Sequence, residues 1–166
     1  MDEFTALVQS STPRLFRLAA RLMGSADEAR DVLQDSFIRA HEALQAGRFD
    51  GRSGAQTWLY RIVTNSALDA LRRRRRRGPP ALPRDEDGPS LDGARIADAR
   101  AALRELREWL ADLPLEQRIA IVLKEIEGLT SAEVAAVIGI SEGAVEQRLV
   151  RARAALRRRM EDESGS

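Results

Sequence analysis

The residues best suited to chemistry in this chain are amides and guanidiniums, and they fall into two groups. In ISEGAVEQRLVRARAAL (residues 140–156) and just beyond it, Gln147, Arg151, Ala154 and Arg158 share one face of a helix, with Glu146 at its flank. Val145, Leu149, Ala152 and Leu156 take the opposite face. A Gln amide can bond adenine bidentately, a carboxylate can accept from cytosine N4, and a guanidinium can take guanine or a phosphate. A second group, Arg61, Thr64, Asn65 and Arg72, lies opposite an apolar stripe, beside Trp58 and Tyr60. Basic and amide groups next to aromatics suit a surface that grips phosphates and stacks on bases. The plainer alternatives are a solvated charged face for the first group and core or edge packing for Trp58 and Tyr60.

Other chemistries are excluded by what the sequence lacks. There is no cysteine, and His41 is the single histidine among 166 residues. Thiolate metal sites, disulfides and any His-based metal cluster or triad within one chain are therefore ruled out. No nucleophile–base pair or phosphate loop is visible, so neither enzymatic activity nor a metal or cofactor is expected. No apolar run approaches the ~20 residues that span a bilayer, and the acidic start MDEFTALVQ is no signal peptide. The expectation is a soluble, cytoplasmic protein without membrane insertion. The net charge of +1 hides an uneven distribution: residues 1–77 carry +5, residues 78–99 carry −3 and residues 100–166 carry −1.

The elements that must position these groups are helical throughout. Thr12-Pro13 reads as an N-cap with proline at the first helical position, ahead of Leu15, Leu18, Ala19, Leu22 and Met23. Ser25-Ala26-Asp27-Glu28 reads as a capping box, opening a helix with Ala29, Val32, Leu33, Phe37, Ala40 and Leu44 inward. After the glycine-containing loop GRFDGRSG, a long helix runs from about Ala55 into six consecutive arginines, Arg72–Arg77. It should bury Leu59, Ile62, Val63, Ser66 and Ala70, which leaves Leu68 stranded on the polar face unless something covers it. GPPALPRDEDGPS (residues 78–90) cannot continue a helix and has little to bury. Beyond it, Leu103, Leu106, Leu110 and Leu113 form a narrow helical stripe, and Pro114 starts a helix that Gly128 stops. Thr130-Ser131-Ala132-Glu133 is a further capping box; Gly139 can turn the chain and Ser141 can cap the next helix. Ala135, Gly139 and Val145 are spaced as in a helix-turn-helix. The fold expected is all-α: two small helical domains (1–77 and 100–166) joined by a flexible acidic linker (78–99), the C-terminal one containing a helix-turn-helix.

Three stretches in this order resemble a bacterial sigma factor of the extracytoplasmic-function (ECF) group of the sigma-70 family, over about Leu7–Met160. DEARDVLQDSFIRAHEAL is similar to the helix that docks on the polymerase clamp. FDGRSGAQTWLYRIVTN resembles the segment that opens and reads the −10 element, and LPLEQRIAIVLKEIEGLTSAEVAAVIGISEGAVEQRLVRARAAL the domain that reads −35. The resemblance implies core RNA polymerase and promoter DNA as partners, an anti-sigma factor as regulator, and no cofactor. It implies that Asp31, Gln34 and Asp35 meet polymerase while Phe37 is core. It implies that the loop with Arg48, Asp50, Arg52 and Ser53 holds a base flipped from the non-template strand. Flipping costs a few kcal/mol, which hydrogen bonds and stacking must return. Trp58, Arg61, Asn65 and Arg72 would serve the same element, and Ser141, Glu146, Gln147, Arg148 and Arg151 the −35 region.

The sequence departs from the family pattern in places. His41 stands where family members often carry Trp, which reads as a packing substitution. Gly143-Ala144-Val145-Glu146-Gln147-Arg148 replaces a commoner Gly-Thr-Val-Lys-Ser-Arg, so a lysine suited to phosphate has become an acid. The arginine run would add sequence-independent phosphate affinity with steep salt dependence, or else be a solvated helix end favoured by the helix dipole. By the same resemblance, the acidic linker could thread toward the RNA exit path of polymerase. Two other readings compete: a sigma-like mimic that titrates an anti-sigma factor, favoured by Glu146 and the net −1 of residues 100–166, and a stand-alone helix-turn-helix regulator, which leaves the first 77 residues without a task.

Overall fold

The computed structural model describes residues 3–49, 51, 54–77 and 94–166. Among them all regular structure is helical: α1 (Glu3–Met23), α2 (Ala26–Gln45), α3 (Ala55–Arg76), α4 (Ala94–Asp112), α5 (Leu115–Ile121), a π-helical turn (Val122–Ile126), α6 (Ser131–Ile138) and α7 (Glu142–Ser164). α3 runs unbroken into the arginine run, as its pattern predicts. α4 begins at Ala94, inside the stretch read as linker, and residues 78–93 lie outside the described residues.

Helix α1 corrects one expectation. Thr12-Pro13 does not open it; Pro13 sits inside a helix that starts nine residues before Thr12, at Glu3. Phe4 and Leu7 pack against the core upstream and extend the apolar stripe past the proline. The Thr12 hydroxyl donates to the Val8 carbonyl at 2.6 Å and caps nothing. Proline has no N–H for the Gln9 carbonyl and its ring crowds the preceding turn. Pro13 is exposed, so its replacement loses no packing. Pro13→Ala should therefore stabilise the chain by about 1–3 kcal/mol, read as a higher denaturant midpoint at unchanged slope.

The N-terminal bundle packs α1, α2 and α3 pairwise around Leu15, Leu18, Leu22, Ala29, Ala40, Leu59 and Val63. In the C-terminal bundle α7 packs on α5 and α6 around Ile119, Leu123, Val134, Val137, Val145 and Leu149. α4 joins this core only at its end. Leu110 and Leu113 are buried, while Leu103 and Leu106 of the same stripe are exposed.

The two bundles also pack on each other, α3 against α6 and α1 against the π turn. This accounts for Leu68 and corrects the reading of Thr64. Both are buried, together with Tyr60 and Leu71, so more than half the circumference of α3 is covered. At 100° per residue, Thr64 and Leu68 fall between Tyr60 and Arg61 on the helix. Those two bond across to the C-terminal bundle, to Glu127 and to the Ala136 carbonyl. The chain's own second bundle is the cover that the N-terminal pattern alone could not supply.

Candidate nucleic-acid interface

What remains open on α3 is one narrow face. Trp58, Arg61, Asn65 and Arg72 lie along it, all exposed except the half-buried Trp58. Trp58 packs against Phe49 with ring centroids 4.9 Å apart and planes tilted by 49°. The indole is thereby held at the helix start, next to the loop that carries the exposed Arg48. Asp50, Arg52 and Ser53, the rest of the expected base-holding group, lie outside the described residues. Arg61 is exposed, yet its Nε donates to the Ala136 carbonyl at 3.0 Å.

The arginine run divides into unlike members. Arg74 turns inward and donates to the Met23 carbonyl at 3.1 Å and to Glu28 at 2.7 Å, tying α3 to the α1–α2 corner. This also corrects the first capping box. Ser25 accepts from the Glu28 N–H at 3.4 Å, but the Glu28 carboxylate is turned to Arg74. Arg72, Arg73 and Arg76 instead line a cleft with Arg39 and Asp69. Arg39 donates to Asp69 at 3.2 Å. Arg75 and Arg77 are exposed. A phosphate-facing surface can draw on these others, while Arg74 is a structural tie.

The helix-turn-helix forms as expected. Thr130 and Glu133 make a complete capping box, and Gly139 ends α6 in the left-handed region at φ +81°. Ser141 caps α7, accepting from the Ala144 N–H at 3.1 Å. Val145 and Leu149 are fully buried beneath the helix, leaving Gln147 and Arg151 exposed and Arg148 half-buried. Glu146 accepts from the Ser131 hydroxyl and so links the two helices of the motif. That gives the acid a structural partner in place of the lysine usual in the resembled family.

On α2, Asp31 and Gln34 are exposed and Asp35 is half-buried, paired with Arg39 at 2.9 Å. Ile38 completes this ridge at i+7 from Asp31 and is 54% exposed. The sequence reading passed over it, although its spacing was visible. Phe37 packs against the core, and exposed His41 lies 6.3 Å from the Phe4 ring.

Sequence reasoning also missed Glu127. Its side chain is 3% exposed and is held by Arg21 at 2.6 Å and Arg14 at 3.7 Å. Tyr60 Oη donates to it at 3.2 Å. The available signal was the stripe Arg14, Arg17, Arg21 on α1, which needs an anion. Burial, and then the Glu127 charge, push the Tyr60 phenol up to about 12, so it stays a donor at neutral pH.

Two surfaces suited to nucleic acid, α3 and α7, thus sit in separate bundles, with an acidic ridge on α2. Comparison with known proteins gives each bundle a family match of its own. Residues 7–77 match the family described as Sigma-70 region 2, and residues 103–156 match Sigma-70, region 4. The ECF RNA polymerase sigma factor SigM of Mycobacterium tuberculosis is 36% identical, over 93% of this chain and 76% of its own. SigE of Mycolicibacterium smegmatis, also an ECF RNA polymerase sigma factor, is 38% identical over 95% of this chain, which spans 61% of that relative's length. Among solved structures, the sigma factor RpoE of Bartonella quintana, in complex with the anti-sigma factor NepR, superposes with a TM-score of 0.73. It is 26% identical, over 97% of this chain and 98% of that one. With both halves matched in order and relatives that align along nearly its whole length, the chain belongs to the ECF group of the sigma-70 family.

Proposed function

We infer that this chain is an ECF sigma factor that binds core RNA polymerase and directs it to promoters. The observation that carries the reading is the presence of both region 2 and region 4 in one chain, each presenting its own polar helix face. In this reading α2 docks on polymerase through Asp31, Gln34, Asp35 and Ile38. The open face of α3 and the Arg48–Ser53 loop take the −10 strand, and α7 reads −35 through Gln147, Arg148 and Arg151, with Ser141 and Glu146 at the rim. The chain acts in the cytoplasm, has no catalytic activity of its own, and is regulated by an anti-sigma factor. Polymerase holds both bundles over one promoter, so each raises the effective concentration of the other.

Run-off transcription from pooled genomic fragments, with core polymerase alone and with this protein added, tests the reading. New transcripts whose start sites share two spaced upstream motifs are expected. Polymerase binding without defined starts would favour the sigma-like mimic; specific duplex binding without polymerase would favour a stand-alone regulator. Once the motifs are known, Gln147→Ala and Arg151→Ala should each weaken −35-dependent initiation by about 1–3 kcal/mol, tenfold or so. Comparing promoters that differ only at −35 checks this, because loss of a base contact relaxes specificity there.

A further inference from the structure

Glu127 sits in a site more basic than one carboxylate requires. Arg14, Arg17 and Arg21 follow one another at three- and four-residue spacing on α1. Arg21 Nη1 meets Glu127 Oε1 at 2.6 Å. Arg14 donates to the Glu127 carbonyl at 3.0 Å and lies over the Tyr60 ring, 5.3 Å from its centroid. Arg17 is exposed and close enough to act on the Tyr60 phenol. Two guanidiniums and a phenol thus hold a single negative charge, with the exposed Arg17 on the same stripe of α1. One turn along α3, Thr64 is fully buried and its Oγ1 has no hydrogen-bond partner among the described residues. An orphaned hydroxyl of this kind costs about 1–3 kcal/mol. The closed packing therefore leaves both positive charge and a hydroxyl unanswered.

A phosphodiester answers both. It carries one negative charge on two outer oxygens, as a carboxylate does, and guanidiniums bind the two anions in the same forked geometry. Its further oxygens are additional acceptors for groups such as the Thr64 hydroxyl. The site also lies on the flank of the helix that carries Trp58, Arg61 and Asn65. We propose that Arg14, Arg21 and Tyr60 form a backbone-phosphate site for single-stranded DNA, and that Glu127 occupies it as an intramolecular stand-in while the two bundles are closed. The proposal rests on the reading of α3 as a strand-facing helix. The fastening is reversible by construction. Glu127 is buried while Arg14 and Arg21 stay more than a third exposed, so opening the bundles chiefly rehydrates the carboxylate, and DNA entering the site replaces the partner the arginines lose. Closed chains cannot bind the strand, so apparent affinity is reduced by the fraction that is closed.

The test uses the full chain and a labelled, mixed-sequence single-stranded DNA 12-mer at low salt, followed by fluorescence anisotropy. Glu127→Gln should bind at least tenfold tighter than the unaltered chain. Adding Arg14→Gln and Arg21→Gln to that variant should cancel the gain and flatten the salt slope by about 0.7, the value for one single-strand phosphate. No gain on Glu127→Gln overturns the proposal. So does a gain that survives loss of both arginines, because the gain would then come from other uncovered groups. Stronger competition by poly-glutamate than by unlabelled 12-mer assigns the site to an acidic protein and also overturns it. If Glu127→Gln fails to fold, hydrogen exchange of the unaltered chain decides. Added 12-mer should speed exchange of the α6 amides as Glu127 is displaced, and unchanged exchange is the contrary result. Co-sedimentation of the unaltered chain with core polymerase reports separately on the sigma reading.

Discussion

Core polymerase should fail to capture a chain carrying Asp31→Lys and Asp35→Lys, with affinity reduced about a hundredfold or more. The ridge of α2 presents these carboxylates with Gln34 and Ile38 to solvent. Acidic groups in that arrangement call for a basic partner surface, and like charges brought together there cost several kcal/mol, where 1.4 kcal/mol is tenfold. The fold should survive. Asp31 makes no ion pair among the described residues, and Arg39, which loses Asp35, keeps Asp69 at 3.2 Å. Co-sedimentation with core polymerase measures the loss, and an unchanged thermal melt shows that folding is intact. Capture at the original affinity would remove α2 from the docking surface.

The largest stability loss is expected at the other end of the chain. Leu149 is completely buried, in the helix that packs on α5 and α6. Leu149→Ala removes its branched end and leaves a cavity, a change that costs about 2–5 kcal/mol in comparable cores. Whole domains are stable by only about 5–15 kcal/mol, so α7 should lose its firm seat in the motif. Its neighbour Val150 is 61% exposed, and Val150→Ala should lie within about 0.5 kcal/mol of the original chain. Equilibrium denaturation of the pair separates loss of packing from trimming of the exposed face of α7. If the two substitutions proved equally mild, Leu149 would not be anchoring the helix.

Much of this fold was legible because local rules and tertiary packing agree. The Thr130–Glu133 box, the Gly139 turn and the Ser141 cap all lie within a few residues of the helices they bound. The stripes of α2 and α7 bury most of the residues their spacing selects, with Phe37, Leu44 and Leu156 half-buried at the edges. The sequence misled where distant residues override local ones. Pro13 looks like a helix start until Phe4 and Leu7 are seen to reach the core. Glu28 looks like half of a capping box until Arg74 arrives from another helix. Thr64 looks like part of an open face until a second bundle covers it. Of the polar surfaces, the face of α7 could be drawn from spacing alone, and that of α3 apart from Thr64. The clasp on Glu127 could not, because its partners stand more than a hundred residues away on α1.

The π-helical turn at Val122–Ile126 fixes a direction as well as a position. There the Glu127 N–H reaches back to the Val122 carbonyl, five residues earlier, where an ordinary turn reaches four. The surplus residue acts like one extra tooth on a gear. Everything after it is turned relative to α5 by about the 100° that one residue contributes to a helix. Deleting a single residue from the turn would restore a regular helix and swing the carboxylate away from α1. The angular setting of this one turn thus aims the carboxylate at α1, beside the separate packing of α3 on α6.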